Sequence, residues 1–197
     1  QSSTYGMPMQ GKFGKLADVA PNFIMGVNNS FKYKFITVSA LLDWKNGGHI
    51  YSGTNRLMDF YGTSKRTEDR TSTFIIDGYK ADGSKNDIVR GGANDKGAYY
   101  ELYANVYGNI SEAQIYETSY LKLRNVTLGF ELPKSIAKQL FLQSAQLTFS
   151  ARNILLWTTL PNLDPESSQG QGNMQGGMDY MSLPQTKSFG LGLNLVF

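Results

Sequence analysis

Few residues in this chain are of a type and spacing that perform covalent chemistry. The one histidine, His49, follows Asn46-Gly47-Gly48 at the start of a Gly-rich stretch. Acid–base catalysis and metal binding both need partners, and there is no second His and no Cys to supply them. The absence of Cys also excludes a disulfide framework and a thiolate metal site. The serines have no basic partner at a spacing that suggests a triad. Asp77-Gly78, Asp82-Gly83, Asn86-Asp87 and Asn94-Asp95 form an oxygen-rich stretch that could hold Ca²⁺. Their spacing departs from an EF-hand loop, and turn formation explains them better. Tyr99, Tyr100, Tyr103 and Tyr180 fall in long connections. Their rings could stack on a sugar or meet a partner, and they could equally pack the loop interior. These four are the candidate ligand or partner contacts. No catalytic residue, metal ligand or cofactor is expected, and the chain is expected not to be an enzyme.

The charged residues point the same way. The net charge is only +3, and Lys and Arg form no basic tract, so nucleic acid is not an expected partner. Lys122, Arg124 and Arg152 attract more interest, because each lies within a segment of alternating apolar and polar residues.

Five segments alternate with period two, the pattern of a strand with one apolar face. In 187–197, Phe189, Leu191, Leu193, Leu195 and Phe197 share one face, while Ser188, Gly190, Gly192, Asn194 and Val196 share the other. In 144–158 the apolar phase is Ala145, Leu147, Phe149, Ala151, Leu155 and Trp157, interrupted by Asn153. In 35–45 it is Ile36, Val38, Ala40, Leu42 and Trp44, with Leu41 out of pattern. The segment 22–33 is weaker, with Phe23, Met25, Val27, Phe31 and Tyr33. In 120–132 the phase breaks between Leu121/Leu123 and Val126/Leu128/Phe130. A one-residue bulge near Arg124-Asn125, or a register shift, would restore a single apolar face. All six prolines fall between the segments, as expected for a residue that cannot donate to a central ladder.

The connections alternate in length. Segments one and two meet at Tyr33-Lys34, and segments three and four are joined by 133–143, which has helical potential from Ser135 to Leu140. The other two connections, 46–119 and 159–186, are long and polar, rich in Gly, Asn, Asp and Ser. Short turns at one end and long loops at the other are the habit of transmembrane barrels. Antiparallel strands would put Trp44 and Trp157 together at the long-loop rim, on the apolar face. Phe31, Tyr33, Phe130 and Phe197 would lie toward the opposite rim. Two aromatic belts would mark two membrane interfaces, with Trp44, Trp157 and Phe197 as the clearest members. Lys122, Arg124 and Arg152 are then expected to avoid lipid and face the lumen or a rim. No run approaches the roughly 20 apolar residues of a membrane helix, which says nothing against strands. The competing reading is a soluble carbohydrate-binding β-domain that buries its apolar face.

The segment Ser119-Tyr-Leu-Lys-Leu-Arg-Asn-Val-Thr-Leu-Gly-Phe-Glu-Leu-Pro133 resembles the C-terminal region of the SusC/RagA family of TonB-linked outer-membrane transporters. So do Ser150-Ala-Arg-Asn153, Leu155-Leu-Trp-Thr158, Leu163-Asp-Pro-Glu166 and the ending from Leu183-Pro184 to Phe197. Upstream, Pro21-Asn-Phe-Ile and Leu41-Leu-Asp-Trp-Lys-Asn-Gly-Gly48 fit as well. The resemblance implies an all-β fold: about five C-terminal strands of an antiparallel transmembrane barrel of the 22-stranded class. Residues 1–21 would be a loop leading into the barrel, and 22–197 the strands with their two long extracellular loops. It implies uptake of glycans or peptides across the bacterial outer membrane. Its implied partners are the rest of the barrel and its plug, a SusD-like surface lipoprotein, outer-membrane lipid, and TonB through an N-terminal part not present here. Gln1-Ser-Ser-Thr4 has no feature of an export signal, which agrees with a fragment.

If Leu191, Leu193 and Leu195 face lipid, Leu193→Arg near mid-membrane should destabilise the assembled barrel by about 2–4 kcal/mol. Denaturant unfolding of the receptor in lipid measures this, and an unchanged midpoint would contradict the assignment.

Overall fold

A computed structural model describes residues 4–169 and 176–197. The first three residues, read above for an export signal, and 170–175 of the second long connection lie outside the described residues. The chain divides into two compact units. One comprises 20–48, 117–167 and 183–197, and the other comprises 4–19, 49–116 and the described part of 168–182.

The first unit is a five-stranded antiparallel sheet. Its strands are β1 (Pro21–Tyr33), β2 (Ile36–Gly47), β7 (Tyr120–Glu131), β8 (Ser144–Thr158) and β10 (Ser188–Val196), hydrogen-bonded in that order. The order along the sheet is the order along the chain, so every neighbour is reached without a crossover. The sheet is open: β1 and β10 are its two edges. Pro21 is included in β1, where sequence reasoning left it outside. It is the first residue of an edge strand, one of the few places a sheet tolerates proline.

The register carries the alternation across all five strands. Met25, Trp44, Leu121 and Trp157 lie in one row, and Val27, Leu42, Leu123 and Leu155 in the next. Phe31, Val38, Leu128, Phe149 and Leu191 form another row, followed by Tyr33, Ile36, Phe130, Leu147 and Leu193. Asn29, opposite Ala40, is a polar exception on this face, at the edge. The other face carries Ser30, Ser39, Thr127, Ser150 and Gly190 in one row, and Lys32, Thr37, Gly129, Thr148 and Gly192 in the next. Aromatic rings gather at both ends of the apolar face. Phe23 meets Trp44 edge-on at 4.9 Å, and Phe35 meets Phe130 at 5.2 Å.

The phase break in the third segment is a bulge. Leu42 opposes Leu123 while Leu41 opposes Asn125, so Arg124 is the extra residue. On the other side, Leu123 opposes Leu155 and Asn125 opposes Arg152, so β8 carries its own irregularity over Asn153 and Ile154. Asn153 adopts φ 54°, a left-handed conformation that Asn tolerates better than most residues. The adjacent bulges let Leu121 and Val126, five residues apart, share one face.

Two short turns complete this unit. Lys34, at φ 52°, closes the β1–β2 hairpin between the paired Tyr33 and Ile36. Between β7 and β8, helix α4 (Lys134–Gln139) is stopped by Phe141 at φ 57°.

The second unit shows that the long connection 46–119 has secondary structure of its own. It contains β3 (His49–Ser52), helix α1 (Gly53–Phe60), β4 (Thr73–Phe74), β5 (Arg90–Gly91), and a helical stretch of α2 (Ala98–Tyr100), a π-helical segment (Glu101–Val106) and α3 (Tyr107–Asn109). Strand β3 lies between β6 (Ile115–Glu117) and β9 (Met178–Asp179), parallel to the latter. Ser52 caps α1, its Oγ accepting from the Asn55 amide. The core is Met7, Ala98, Leu102 and Val106, with Phe74, Ile76, Tyr103, Tyr107 and Ile110 around it. Ala98, Leu102 and Val106 recur every four residues, the spacing of one helical face. That signal was present in the sequence beneath its turn-forming neighbours.

Replacing Asn153 with Val should keep the strand pairing but strain the left-handed residue, at a cost of about 1–2 kcal/mol. Asn153→Gly should cost less. Urea unfolding of the two variants in one lipid background gives the order, and equal stability would refute the strain.

Candidate functional site

The densest chemistry lies on the polar face of the sheet, where β7 meets the second long connection. Lys122, opposite Asp43 on β2 and Leu156 on β8, is only 2% exposed. Burying an ammonium is costly unless it is paired. Here its Nζ lies 2.6 Å from Glu166 Oε2, 2.8 Å from Gln185 Oε1 and 3.9 Å from Asp164 Oδ2. The bulge turns Arg124 into the same cluster. Its Nε donates to Asp43 Oδ2 at 2.6 Å, its Nη1 to Glu166 Oε2 at 3.2 Å, and its Nη2 contacts Glu166 Oε1 and Asp43. The Tyr120 hydroxyl donates to Glu166 Oε1 at 3.0 Å, and Gln185 Nε2 donates to Glu166 Oε2 at 3.2 Å.

Glu166 is thus held by Tyr120, Lys122, both terminal nitrogens of Arg124, and Gln185. Charge-assisted and bidentate bonds of this kind are the strong ones. Asp164 builds the turn that presents it: its Oδ1 accepts from the Glu166 amide at 3.1 Å, and its Oδ2 from the Gln185 amide at 3.1 Å. Ser167 Oγ donates to the Leu183 carbonyl at 2.9 Å. Burial pushes the Glu166 carboxyl up, but its bonds to Arg124 and Lys122 outweigh this and hold it below the usual carboxylate range.

Lys122 and Arg124, expected to avoid lipid and face the lumen or a rim, both contribute to the cluster on the polar face of the sheet. Arg152 is on the same face, opposite Asn125 and Ser188, and stays exposed. Asp43, Tyr120, Asp164, Glu166 and Gln185 all fall in the motifs quoted above, but nothing in the sequence singled them out as partners of Lys122 and Arg124. The available signal was the demand itself: two cations inside a strand need acids, and β2 supplies only one directly opposite.

The tyrosines divide. Tyr99 packs on Phe74 at 4.8 Å and stacks with Tyr103 at 6.4 Å. The Arg66 guanidinium, paired with Asp59, lies over Tyr103 and Tyr107 at 5.6 and 5.8 Å. Tyr99 and Tyr103 therefore pack within the unit, and each also gives an edge to the small cavity that Tyr100 lines. Tyr100 is exposed beside Phe60 and shares with Tyr61 and Arg70 the lining of a small cavity of about 100 Å³. Tyr180 lies against Gly53, where an added Cβ would strike its ring, and is otherwise exposed. His49 has its ring Nδ1 3.2 Å from the Asp18 carbonyl. Among the described residues no group of three or more His, Asp or Glu is arranged to hold a metal ion. Asp82 accepts from the Ser84 amide and hydroxyl, the behaviour of a turn residue.

Glu166→Ala should destabilise the unit more than Lys122→Met, since the first strands a buried cation, by about 3–5 kcal/mol, while the second leaves Glu166 on Arg124. Glu166 titrates lower folded than unfolded, so its contribution is present above the unfolded value and is lost as pH falls through the lower folded one. Unfolding followed against pH should show this loss in the parent and not in Glu166→Gln. A parent whose acid response matches that of the variant would contradict it.

No protein-family model matches the chain. Among curated proteins it is similar to TonB-dependent receptor P3 of Formosa agariphila, 28% identical over 188 residues, covering 92% of this chain and 17% of that one. TonB-dependent receptor P26 of the same organism is 25% identical over 187 residues, covering 92% and 18%. The chain thus spans about a sixth of the length of the curated relatives it matches. Among solved structures, the RagAB peptide importer in its closed-closed state superposes with a TM-score of 0.57 at 16% identity, covering 90% of this chain and 17% of that one. Its open-open state gives 0.58 at 19% identity, covering 91% and 17%. The chain is similar in sequence to TonB-dependent receptors, and its fold matches that of the RagAB peptide importer over most of its length.

Proposed function

We propose that this chain is part of the wall of an outer-membrane β-barrel that imports nutrients in the TonB-dependent manner. One observation carries the reading: a single sheet presents an apolar face whose large side chains stand exposed from end to end, and a polar face holding a buried ion cluster. Phe31, Leu128, Phe149, Leu191 and Leu193 all stand open on the apolar side. An apolar surface of this extent needs a cover, and lipid is the cover that a barrel of the receptor class provides. The strands, 9–15 residues long, suffice to cross the hydrocarbon at a tilt.

In this reading the polar face lines the lumen, with Lys122, Arg124 and Arg152 turned away from lipid. Trp44 and Trp157 mark one membrane interface and Phe197 the other. The edges of β1 and β10 pair with further strands of a barrel of the 22-stranded class, because an unpaired edge in hydrocarbon costs several kcal/mol per group. The long connections face the cell exterior. Resemblance supplies the remainder: a plug, TonB as the energy source, a SusD-like lipoprotein at the outer mouth, and a glycan or peptide as cargo. The chain serves transport and performs no catalysis.

The soluble binding module makes the opposite demand, since it must bury the same apolar face. The isolated 197-residue chain should therefore aggregate in plain buffer and become monodisperse only in detergent. A stable, monodisperse monomer in buffer would transfer the assignment to a soluble domain. In cells, removing the coding region for this segment should abolish both the assembled receptor and its uptake, and retained uptake would contradict the wall role.

A further inference from the structure

Three steps along the chain place glycine directly after Asp or Asn: Asn46-Gly47, Asp77-Gly78 and Asp82-Gly83. At such a step the glycine amide nitrogen can attack the side-chain carbonyl carbon of the residue before it and close a five-membered succinimide ring. Glycine favours the attack because it has no Cβ to crowd it and its backbone turns freely. Closure needs a glycine amide that is not engaged in a hydrogen bond and a side chain free to swing over it.

Two of the three steps are held shut. At Asn46-Gly47, inside β2, the Gly47 amide donates to Ser119 Oγ at 2.7 Å, and Asn46 Oδ1 accepts from Asn22 Nδ2 at 3.0 Å. At Asp82-Gly83, the Gly83 amide donates to the Lys80 carbonyl at 2.9 Å. The Asp82 carboxylate there accepts from the Ser84 amide at 2.9 Å and from its hydroxyl at 2.6 Å.

Asp77-Gly78 has neither restraint. Among the described residues the Gly78 amide donates to no acceptor. The Asp77 side chain is 91% exposed, and its ion pair to Lys85, at 3.5 Å, joins two exposed groups. Surface pairs of this kind restrain little. Gly78 is nearly extended, at φ 159°, and nothing lies within 4 Å of where a Cβ would stand, so a ring has room to form. The chain on either side is anchored. The Gly78 carbonyl accepts from the Asn86 amide at 2.9 Å, and the Ile76 carbonyl from Asn86 Nδ2 at 2.8 Å. The slack is confined to one peptide unit.

We propose that Asp77 is a modification site, at which the folded protein converts aspartate to isoaspartate while Asp82 and Asn46 are spared. In the first step the Gly78 nitrogen bonds to Asp77 Cγ, and the carboxyl hydroxyl leaves as water with the amide proton. In the second, water adds to either ring carbonyl and reopens the ring. Opening at the main-chain carbonyl leaves the chain running through Cγ, with the former main-chain carboxyl as the new side chain. One water is lost and one regained, and nothing is oxidised or reduced. The product lengthens the backbone by one methylene. That carbon enters the wall of a cavity of about 850 Å³ between 4–9 and 76–88, to which Asp77, Gly78 and Tyr79 all contribute. The proposal stands apart from the import reading, since it concerns one peptide of the second unit.

Trypsin puts the three steps in separate peptides, 46–56, 71–80 and 81–85. The full receptor is held in detergent at neutral pH and growth temperature, sampled over weeks and digested. Electron-transfer fragmentation then distinguishes isoaspartate from aspartate in each peptide. The receptor unfolded in guanidinium gives the unrestrained rate of each step. Isoaspartate should accumulate in 71–80 of the folded receptor at nearly its unfolded rate, while 46–56 and 81–85 fall far below theirs. Asp77→Asn keeps the size of the side chain and the same glycine, and releases ammonia in place of water. It should bring isoaspartate to position 77 several-fold faster without changing the other two peptides. A folded receptor whose 71–80 peptide stays unmodified would overturn the proposal, and so would equal protection at all three steps.

Discussion

Side chains on a strand point alternately to the two sides of its sheet, and in a single layer both sides need a compatible surrounding. In this chain that constraint governs nearly everything else. Rows such as Val27–Leu42–Leu123–Leu155 gain nothing from a second layer of protein, because the five-stranded unit has none. The opposite face cannot be apolar as well, or the sheet would have no preferred side. Its small hydroxyl and glycine rows, and then its ion cluster, follow from that division. A one-residue slip of any strand would reverse its faces, so the register is fixed by the same pattern that the faces express.

The bulge at Arg124 shows how the constraint is negotiated locally. A strictly alternating β7 would have put Leu121 and Val126 on opposite sides. One extra residue restores the apolar face and releases Arg124 from the ladder. The released guanidinium then becomes the partner of Asp43 and Glu166. Asn153 on β8, in its left-handed conformation, accommodates the same kink from the neighbouring strand. The polar cluster is thus built by a defect in the sheet, and the defect exists to keep the apolar face continuous.

Much of this was legible in the residues themselves. Period-two alternation located all five long strands to within a residue or two, because one exposed face and one polar face leave a clean signature. The broken phase between Leu123 and Val126 marked an irregularity there, a bulge or a register shift, and the pairing shows which. The ion cluster was harder to foresee. Glu166 and Gln185 reach Lys122 across 44 and 63 residues of chain, and no local pattern reports such a contact. The second unit was missed for a different reason. Gly, Asn and Asp dominate 46–119 and signal turns, while its helical core rests on three residues, Ala98, Leu102 and Val106, spaced by four. The tyrosines could not be sorted from sequence, since whether a ring is covered depends on Arg66 and Phe74, which approach from elsewhere in the chain.

The division of the two faces can be read directly on β10, the edge strand that ends the sheet. Spin labels placed one at a time from Ser188 to Val196 in the full receptor, in lipid, are exposed either to oxygen, which concentrates in hydrocarbon, or to a water-soluble nickel chelate. Oxygen accessibility should peak at Phe189, Leu191, Leu193 and Leu195, with nickel accessibility peaking out of phase at Gly190, Gly192 and Asn194. Accessibilities that rise and fall together, or that show no period of two, would contradict a sheet with one face in lipid and the other in water.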